Sequence, residues 1–177
     1  MPNDRQPAPI DDVDLAILEA LSDDARMPNN RLADSLGIAP STCLARVRAL
    51  RRSGVLRGFH ADVDLAALGR PLQAMIAVRL TVHHREEIEG FTRAVRELPG
   101  VLSVFHVAGV NDYLVWVAAS DAQDLREFVV DHLATHPSVA HAETSLIYEH
   151  RRGPGPWRNR NADRRDLQSS HVPYVRR

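Results

Sequence analysis

An arginine-rich segment is the first feature of this sequence that could do chemistry. Residues 26–57 carry seven arginines against one acid, Asp34, which gives a local charge of +6. Guanidinium groups fork onto phosphate oxygens and onto the guanine edge, so such a segment favours a nucleic-acid partner. All 22 basic residues of the 177-residue chain are arginines, which codon bias explains as readily as selection for guanidinium chemistry.

A short loop at residues 109–113 is the second candidate. Gly109 allows close backbone approach, loop amides can receive a carboxylate, and Asp112 could accept from an amino group. The alternative is a plain β-turn in which Gly109 adopts a positive φ and Asp112 only caps. The spacing by itself favours the β-turn.

Metal, redox and catalytic chemistry have weaker signals. His132 and His136 lie four residues apart, a spacing that metals accept, but only His141 is a nearby third candidate. We expect surface histidines and no metal site. Cys43 could sense oxidants, but its position on an apolar stripe favours an inert buried thiol. No nucleophile triad, phosphate loop or paired-carboxylate motif stands out, so the sequence predicts no catalytic residue and no cofactor.

The charge of the whole chain conceals an uneven distribution. The net charge is −1, yet residues 151–177 carry eight arginines against two acids and residues 72–150 carry five against eleven.

The single cysteine excludes an internal disulfide and a multi-cysteine zinc site. Residues 1–14 lack a signal-peptide stretch, and no apolar run is long enough to cross a membrane. We therefore expect a cytoplasmic protein without a membrane partner.

Three helices are predicted around the first basic cluster. Asp11 and Asp12 are good N-caps for a helix that ends near Asp24. Asn29 can cap a second helix, which Gly37 stops. The third begins near Pro40, and its buried stripe is Cys43, Val47 and Leu50.

The exposed side of the third helix carries the candidate DNA contacts. The residues that point away from the buried stripe are Ser41, Ala45, Arg48 and Arg52, flanked by Thr42, Arg46 and Arg51. The turn before this helix and its arginine content suit a helix-turn-helix, with Arg31 on the preceding helix. A small bundle with a solvated arginine face is the alternative. Residues 55–64 are predicted to form a short strand or wing, with Gly58 at a turn.

The second half of the sequence changes to an alternating strand and helix pattern. The predicted strands are 75–82, 101–108, 113–119 and 139–148, and the predicted helices are 86–98 and a second one that Asp121 caps and Pro137 closes. This order matches the ferredoxin-like βαββαβ unit, so the fold class is α+β. Two helices on one sheet face leave the other face to be covered, so self-association is expected.

The predicted organisation has five parts. They are a flexible arm at 1–10, a winged helix-turn-helix DNA-binding domain at 11–64, a linker at 65–71, a βαββαβ effector-binding and assembly domain at 72–150, and a basic, disordered tail at 151–177.

The sequence resembles the Lrp/AsnC (feast/famine) transcription regulators. The resemblance rests on DDVDLAILEALSDDAR, RLADSLG and STCLARVRALRRSGVLRGFHADVD in the first half, and on VAGVNDYLVWVAA and HAETSLIYE in the second. It covers about residues 11–150, and both halves in this order and spacing make it specific.

The resemblance implies a function and a set of sites. It implies a non-enzymatic regulator whose dimers assemble further, often to octamers, and bind an amino acid or related molecule between dimers. The recognition helix corresponds to 40–53, with Arg46 at the family's arginine and Arg48 at a usually basic position. The residues implied for the effector pocket are Gly109, Val110, Asn111, Asp112, Tyr113 and Thr144. Thr144 has a second explanation, because threonine is common in strands whether or not a ligand binds there.

One position departs from the family pattern. The family often has serine where this chain has Ala39, so the third helix lacks a side-chain N-cap there, and Ser41 could cap instead. That start would move the Ser41 hydroxyl away from DNA.

The leading hypothesis is a DNA-binding regulator of a palindromic operator that responds to an amino acid. The alternatives are a small-molecule enzyme on a ferredoxin-like domain, for which residues 72–150 offer no acid–base cluster, and an amino-acid-binding module that acts through protein partners.

Overall fold

The aspartates Asp11 and Asp14 cap the start of the first helix, α1 (Asp12–Asp23). The Asp11 carboxylate accepts from the backbone N–H of Asp14 at 2.9 Å, and the Asp14 carboxylate accepts from the N–H of Asp11 at 3.4 Å. This reciprocal pair is a capping box, which satisfies two N–H groups that the helix leaves unpaired.

The computed structural model describes residues 9–81, 84–153, 155 and 156.

The second helix, α2 (Asn29–Ser35), begins differently from the sequence prediction. Pro28 occupies the N-cap position and no side chain caps the helix, so the prediction that Asn29 caps it is wrong. The Asn29 amide instead donates to the carbonyl oxygen of Pro40 at 2.9 Å, which joins the start of α2 to the first residue of the third helix. Gly37, at φ +66°, ends this helix region in the left-handed conformation, as predicted.

The third helix, α3 (Pro40–Arg52), packs its apolar stripe against the other two. Cys43 is fully buried and Leu50 is nearly so. The buried residues of this first core are Ile17, Leu18, Leu21, Leu32, Ala33, Cys43 and Leu50. Burial of this stripe decides which side of α3 faces outward.

Residues 55–64 form no β-bridge, although the structure describes all of them. Of the predicted short strand or wing, the strand is therefore absent and the segment is irregular. The backbone N–H of Leu56 donates to the carbonyl oxygen of Leu50 at 2.9 Å, which returns the chain to the end of α3. The structure divides into two units after Ala61, and Asp62–Arg151 forms the second unit.

The second unit has the predicted element order. Its elements are β1 (Leu72–Leu80), α4 (Arg85–Arg96), β2 (Val101–His106), β3 (Tyr113–Ala119), α5 (Ala122–Phe128), a π-helical segment (Val129–Ala134) and β4 (Val139–Ile147). The sheet order is β2-β3-β1-β4 and every neighbouring pair is antiparallel. This is the ferredoxin-like βαββαβ arrangement, so the predicted fold class is confirmed.

The helices of the second unit cover one face of the sheet, and no described helix of this unit packs on the opposite face, called here the open face. Alternate residues of the two central strands are buried against Phe91 and Val95 of α4 and against Leu125 and Leu133 beyond it. The sheet residues of this core are Ala74, Ile76, Val78, Leu80, Tyr113, Val115, Val117 and Ala119. The opposite face includes Trp116, half-buried, whose indole N–H donates to the Gln73 side chain at 3.1 Å.

The helix after Asp121 changes its geometry midway. Asp121 caps α5 as predicted, by accepting from the N–H groups of Gln123 and Asp124. The backbone then becomes π-helical at Val129, which an apolar spacing typical of an α-helix does not reveal. Among the described residues, no helix has the length and hydropathy needed to cross a membrane.

Candidate nucleic-acid interface and effector site

The outward side of α3 is an exposed surface of small and basic side chains. Ser41, Ala45, Arg48 and Arg52 are all exposed, and they lie opposite the buried Cys43. Within the described part of the chain, neither Arg48 nor Arg52 has a carboxylate partner. Both guanidinium groups can therefore meet an external anion without first breaking an ion pair.

The first turn of α3 begins at Pro40, with Ala39 as its N-cap and no side-chain cap. The prediction that Ser41 caps the helix is wrong, because Ser41 already lies inside the first turn. Ser41 and Thr42 are both exposed there. Their hydroxyls lie beside the backbone N–H groups that a helix start leaves unpaired, an arrangement that suits a phosphate oxygen.

Arg46 differs from the other arginines of α3. Its Nη1 donates to Asp11 Oδ2 at 2.7 Å and to Asp14 Oδ1 at 3.0 Å. These bonds raise the pKa of Arg46 further. The pKa of Asp11 lies below its ordinary value, first because the backbone of Asp14 donates to it and then because Arg46 does. The structure therefore gives this guanidinium partners inside its own unit.

The remaining predicted DNA contacts flank this surface. Arg51 is exposed, and its guanidinium carbon lies 6.0 Å from the centre of the Phe59 ring. Arg31 is exposed on α2. The first unit thus presents several cationic side chains on neighbouring helices.

The loop before β3 is attached to β1 by its last residues. The Asp112 N–H donates to the carbonyl of Val78 at 2.9 Å, and the Asp112 carboxylate accepts from the N–H of Leu80 at 2.8 Å. Gly109 has φ +143°, which favours glycine, and Val110 is 80% exposed. The Asp112 carboxylate thus joins the loop to β1, and the loop tip faces solvent.

Tyr113 is fully buried at the start of β3. Its hydroxyl donates to the carbonyl of Ile88 at 3.0 Å and lies 2.9 Å from the hydroxyl of Thr92. Its ring stacks on His106 with centroids 4.8 Å apart. The side chain that was predicted to line an effector pocket therefore joins α4 to the sheet.

Thr144 does not join the loop residues in one cavity. It lies in β4 opposite Ile76, on the helix side of the sheet. With Leu125, Val129 and Arg126 it lines a small cavity of about 270 Å³ beside α5. The predicted effector residues are thus distributed between the loop and a separate cavity.

Sequence reasoning missed a larger cleft beside α4. It has a volume of about 710 Å³, and its lining residues are Ile88, Glu89, Thr92, Arg93, Arg96 and His106. The helical spacing of Glu89, Arg93 and Arg96 predicts only a solvated polar face. The position of His106 beside them depends on how β2 packs on α4, which no local pattern encodes.

The histidines weighed as metal ligands pack against aromatic rings instead. His132 lies 5.3 Å from Phe128 and His136 lies 5.3 Å from Phe91, measured between ring centroids. In the described ranges, no group of three or more histidine, cysteine, aspartate or glutamate side chains could hold a metal ion.

A helix-turn-helix unit followed by a βαββαβ unit defines a class of transcription regulators that combine a DNA-binding and a ligand-sensing domain. Comparison with family models agrees with both halves. Residues 10–57 match the winged helix-turn-helix DNA-binding family, and residues 73–153 match the Lrp/AsnC ligand binding domain.

Named relatives specify the family further. The chain is 51% identical to the HTH-type transcriptional regulator AldR of Mycobacterium tuberculosis. The 153 aligned residues cover 86% of each chain. It is 32% identical to the transcriptional regulator AzlB of Bacillus subtilis, over 78% of this chain and 88% of that one. The chain belongs to the Lrp/AsnC family of transcription regulators, as the sequence resemblance predicted.

Solved structures give the same fold. The crystal structure of the Mycobacterium tuberculosis AldR has 47% identity and a TM-score of 0.66, and covers 82% of this chain and 99% of that one. A transcriptional regulator from Neisseria meningitidis, crystallised in complex with L-Met, has 30% identity and a TM-score of 0.75, over 82% and 94% of the two chains.

Proposed function

We propose that α3 is the recognition helix of a dimeric regulator and enters the major groove of a palindromic operator. One observation carries this proposal: the exposed row on α3 lies directly opposite its buried stripe. Arg48 and Arg52 are the arginines of that row, and Ala45, one turn before Arg48, leaves room for close approach to base edges. Arginine forks onto the O6 and N7 atoms of guanine, so these two side chains read sequence.

Phosphate contacts orient this helix on the duplex. Ser41 and Thr42 meet a phosphate at the first turn, while Arg31 and Arg51 contact the backbone on either side. Such contacts fix register and orientation without carrying sequence information themselves. Residues 11–64 are then the DNA-binding part of the chain.

The open sheet face is the proposed assembly surface of residues 72–150. Phe105 is 45% exposed and lies opposite Leu114 across β2 and β3, and both alternate with side chains of the covered core. Half-buried Trp116 and Met75 pair on the same face. An apolar face of this kind is favourably covered by a second copy, and further association of dimers gives the higher assembly.

The effector is proposed to be an amino acid or a related small molecule, bound at the loop tip. Among the described residues, the backbone N–H groups of Gly109, Val110 and Asn111 have no acceptor, so they can receive a carboxylate. The complex of the Neisseria meningitidis regulator with L-Met supports this class of ligand. Asp112 and Tyr113 then act by holding the loop on β1 and α4.

Selection of duplexes from a random-sequence pool by the purified protein tests the DNA function. We expect enrichment of an inverted repeat with half-sites about 10 base pairs apart, one helical turn. A variant with Arg48→Ala and Arg52→Ala should fail to enrich it. The absence of any enriched sequence with the wild-type protein would contradict the proposal and favour action through protein partners.

A thermal-shift screen against the twenty amino acids tests the effector. A ligand that binds only the folded protein raises its melting temperature. With a ligand that does so, Val110→Pro should reduce the shift because it removes one of the three backbone N–H groups, whereas Arg93→Ala in the separate α4 cleft should not. The reverse pattern would move the effector to that cleft.

A further inference from the structure

The capping box of α1 is also the binding site of an arginine from α3. Asp11 Oδ1 and Asp14 Oδ2 accept from backbone N–H groups within the box, and the other two oxygens both accept from Arg46 Nη1. All four carboxylate oxygens therefore have a donor. The two ion pairs join residues that lie 35 and 32 positions apart in the sequence, so they connect one helix to another.

We propose that Arg46 is a positioning residue that fixes the orientation of α3 on α1, and that it is not itself a DNA contact. This inference rests on the proposed DNA function. The apolar stripe buries one side of α3 but provides no directional contact at its edge. The paired carboxylates supply one, because two charge-assisted hydrogen bonds hold Arg46 Nη1 between them.

The environment of Arg46 separates it from its neighbours on α3. Its side chain is 32% exposed and that of Asp14 only 16% exposed, whereas Arg48 and Arg52 are exposed and have no carboxylate partner in the described part of the chain. Both ion pairs engage Nη1 and hold the guanidinium against the start of α1, so Arg46 cannot extend freely toward a phosphate. The exposed arginines have no such restraint, so they are the better DNA contacts.

The positioning role and the contact role predict opposite effects of removing the carboxylates. If Arg46 positions α3, Asp11→Asn with Asp14→Asn loosens the helix and weakens specific binding. If Arg46 contacts DNA, the same change frees the arginine and removes two negative charges near the phosphates, which strengthens binding. Asparagine is as good an N-cap as aspartate, so Asp11→Asn keeps the helix start.

The experiment measures fluorescence anisotropy with a duplex that the wild-type protein has selected and with a scrambled duplex, over a series of salt concentrations. We expect Arg46→Ala and the double asparagine variant each to weaken binding to the selected duplex about tenfold, as for other coupled neighbouring groups. A variant with all three changes should bind the selected duplex about as well as the Arg46→Ala variant does. The slope of log K against log salt should stay at the wild-type value with Arg46→Ala. For neither variant should binding to the scrambled duplex weaken as binding to the selected duplex does, since non-specific binding depends on charge and not on the orientation of α3.

Arg51→Ala is the matched control, since it removes the same charge from an exposed arginine of the same helix that is proposed to contact the DNA backbone. Loss of that phosphate contact should lower the slope by about 0.9. Tighter binding by the asparagine variant, or a lower slope with Arg46→Ala, would overturn the positioning role. A wild-type protein that selects no duplex would instead overturn the proposed function. Circular dichroism of each variant identifies any loss that comes from unfolding.

Discussion

The carboxylate of Asp112 accepts a hydrogen bond from the backbone N–H of Leu80, with 2.8 Å between Oδ2 and the nitrogen. This bond attaches the end of the 109–113 loop to the end of β1, beside the backbone bond from Asp112 to Val78. The residue proposed from the sequence as an effector ligand thus has a structural role that is independent of any effector.

Replacement of Asp112 by alanine should destabilise the protein. The change leaves a partly buried N–H without its acceptor, which costs about 1–3 kcal/mol of the free energy of unfolding. Urea denaturation measures this. Asn111→Ala in the same loop is the control, and we expect it to change the free energy by less than about 0.5 kcal/mol. Equal stability of both variants would show that the Asp112 bond contributes nothing.

Tyr113→Phe removes only a hydroxyl from the core of the second unit. The partners of that hydroxyl, the Ile88 carbonyl and the Thr92 side chain, would lose a partly buried hydrogen bond. We expect a loss of about 1–2 kcal/mol, measured by urea denaturation. Tyr148→Phe is the matched control, because Tyr148 is 98% exposed and its change should have almost no effect. A neutral Tyr113→Phe would mean that the hydroxyl is equally well solvated in the unfolded chain.

Cys43 should react slowly with thiol reagents in the folded protein. It is fully buried on the inner stripe of α3, and burial raises the pKa of its thiol, so little thiolate is present at neutral pH. Labelling with a maleimide, followed by mass spectrometry, should give a slow native reaction and a rapid one in denaturant. Equal rates in both conditions would reopen the possibility that Cys43 senses oxidants.

Acid should weaken the link between α1 and α3. The pKa of Asp11 is lowered in the folded protein. The carboxylate therefore contributes to stability at any pH above the pKa of an unfolded aspartate, which is about 3.9. That contribution is lost as the pH falls through the lower folded value. The difference in melting temperature between wild type and Asp11→Asn should therefore shrink as the pH falls below about 4. A difference that does not vary with pH would contradict this origin.

The sequence predicts the elements of this fold well where a local signal decides them. Gly37 ends α2 because a left-handed residue is needed there, and the Cys43 stripe fixes the inner side of α3 through helical spacing alone. Alternation and turn residues likewise place β3 at Tyr113–Ala119. These features depend only on neighbours within one or two turns.

Long-range partners are what the sequence does not predict. Asn29 has the composition of a cap, yet its amide reaches Pro40, eleven positions away. Arg46 has the type and position of a DNA contact, yet its partners lie at the start of α1. Thr144 belongs to the family pattern, yet strand pairing places it beside α5. In each case packing between elements decides which of several chemically suitable partners a side chain meets.

The central claim is that the exposed arginines of α3 hold DNA. The most direct test compares the affinity of wild type, Arg48→Ala, Arg52→Ala and Arg126→Ala for the selected duplex at several salt concentrations. Arg126 is an exposed arginine of α5, so its variant has the same charge change outside the proposed interface. Each α3 variant should weaken binding by about 1–3 kcal/mol and relax base preference, while Arg126→Ala binds as wild type does. Wild-type affinity and selectivity in both α3 variants would contradict the account.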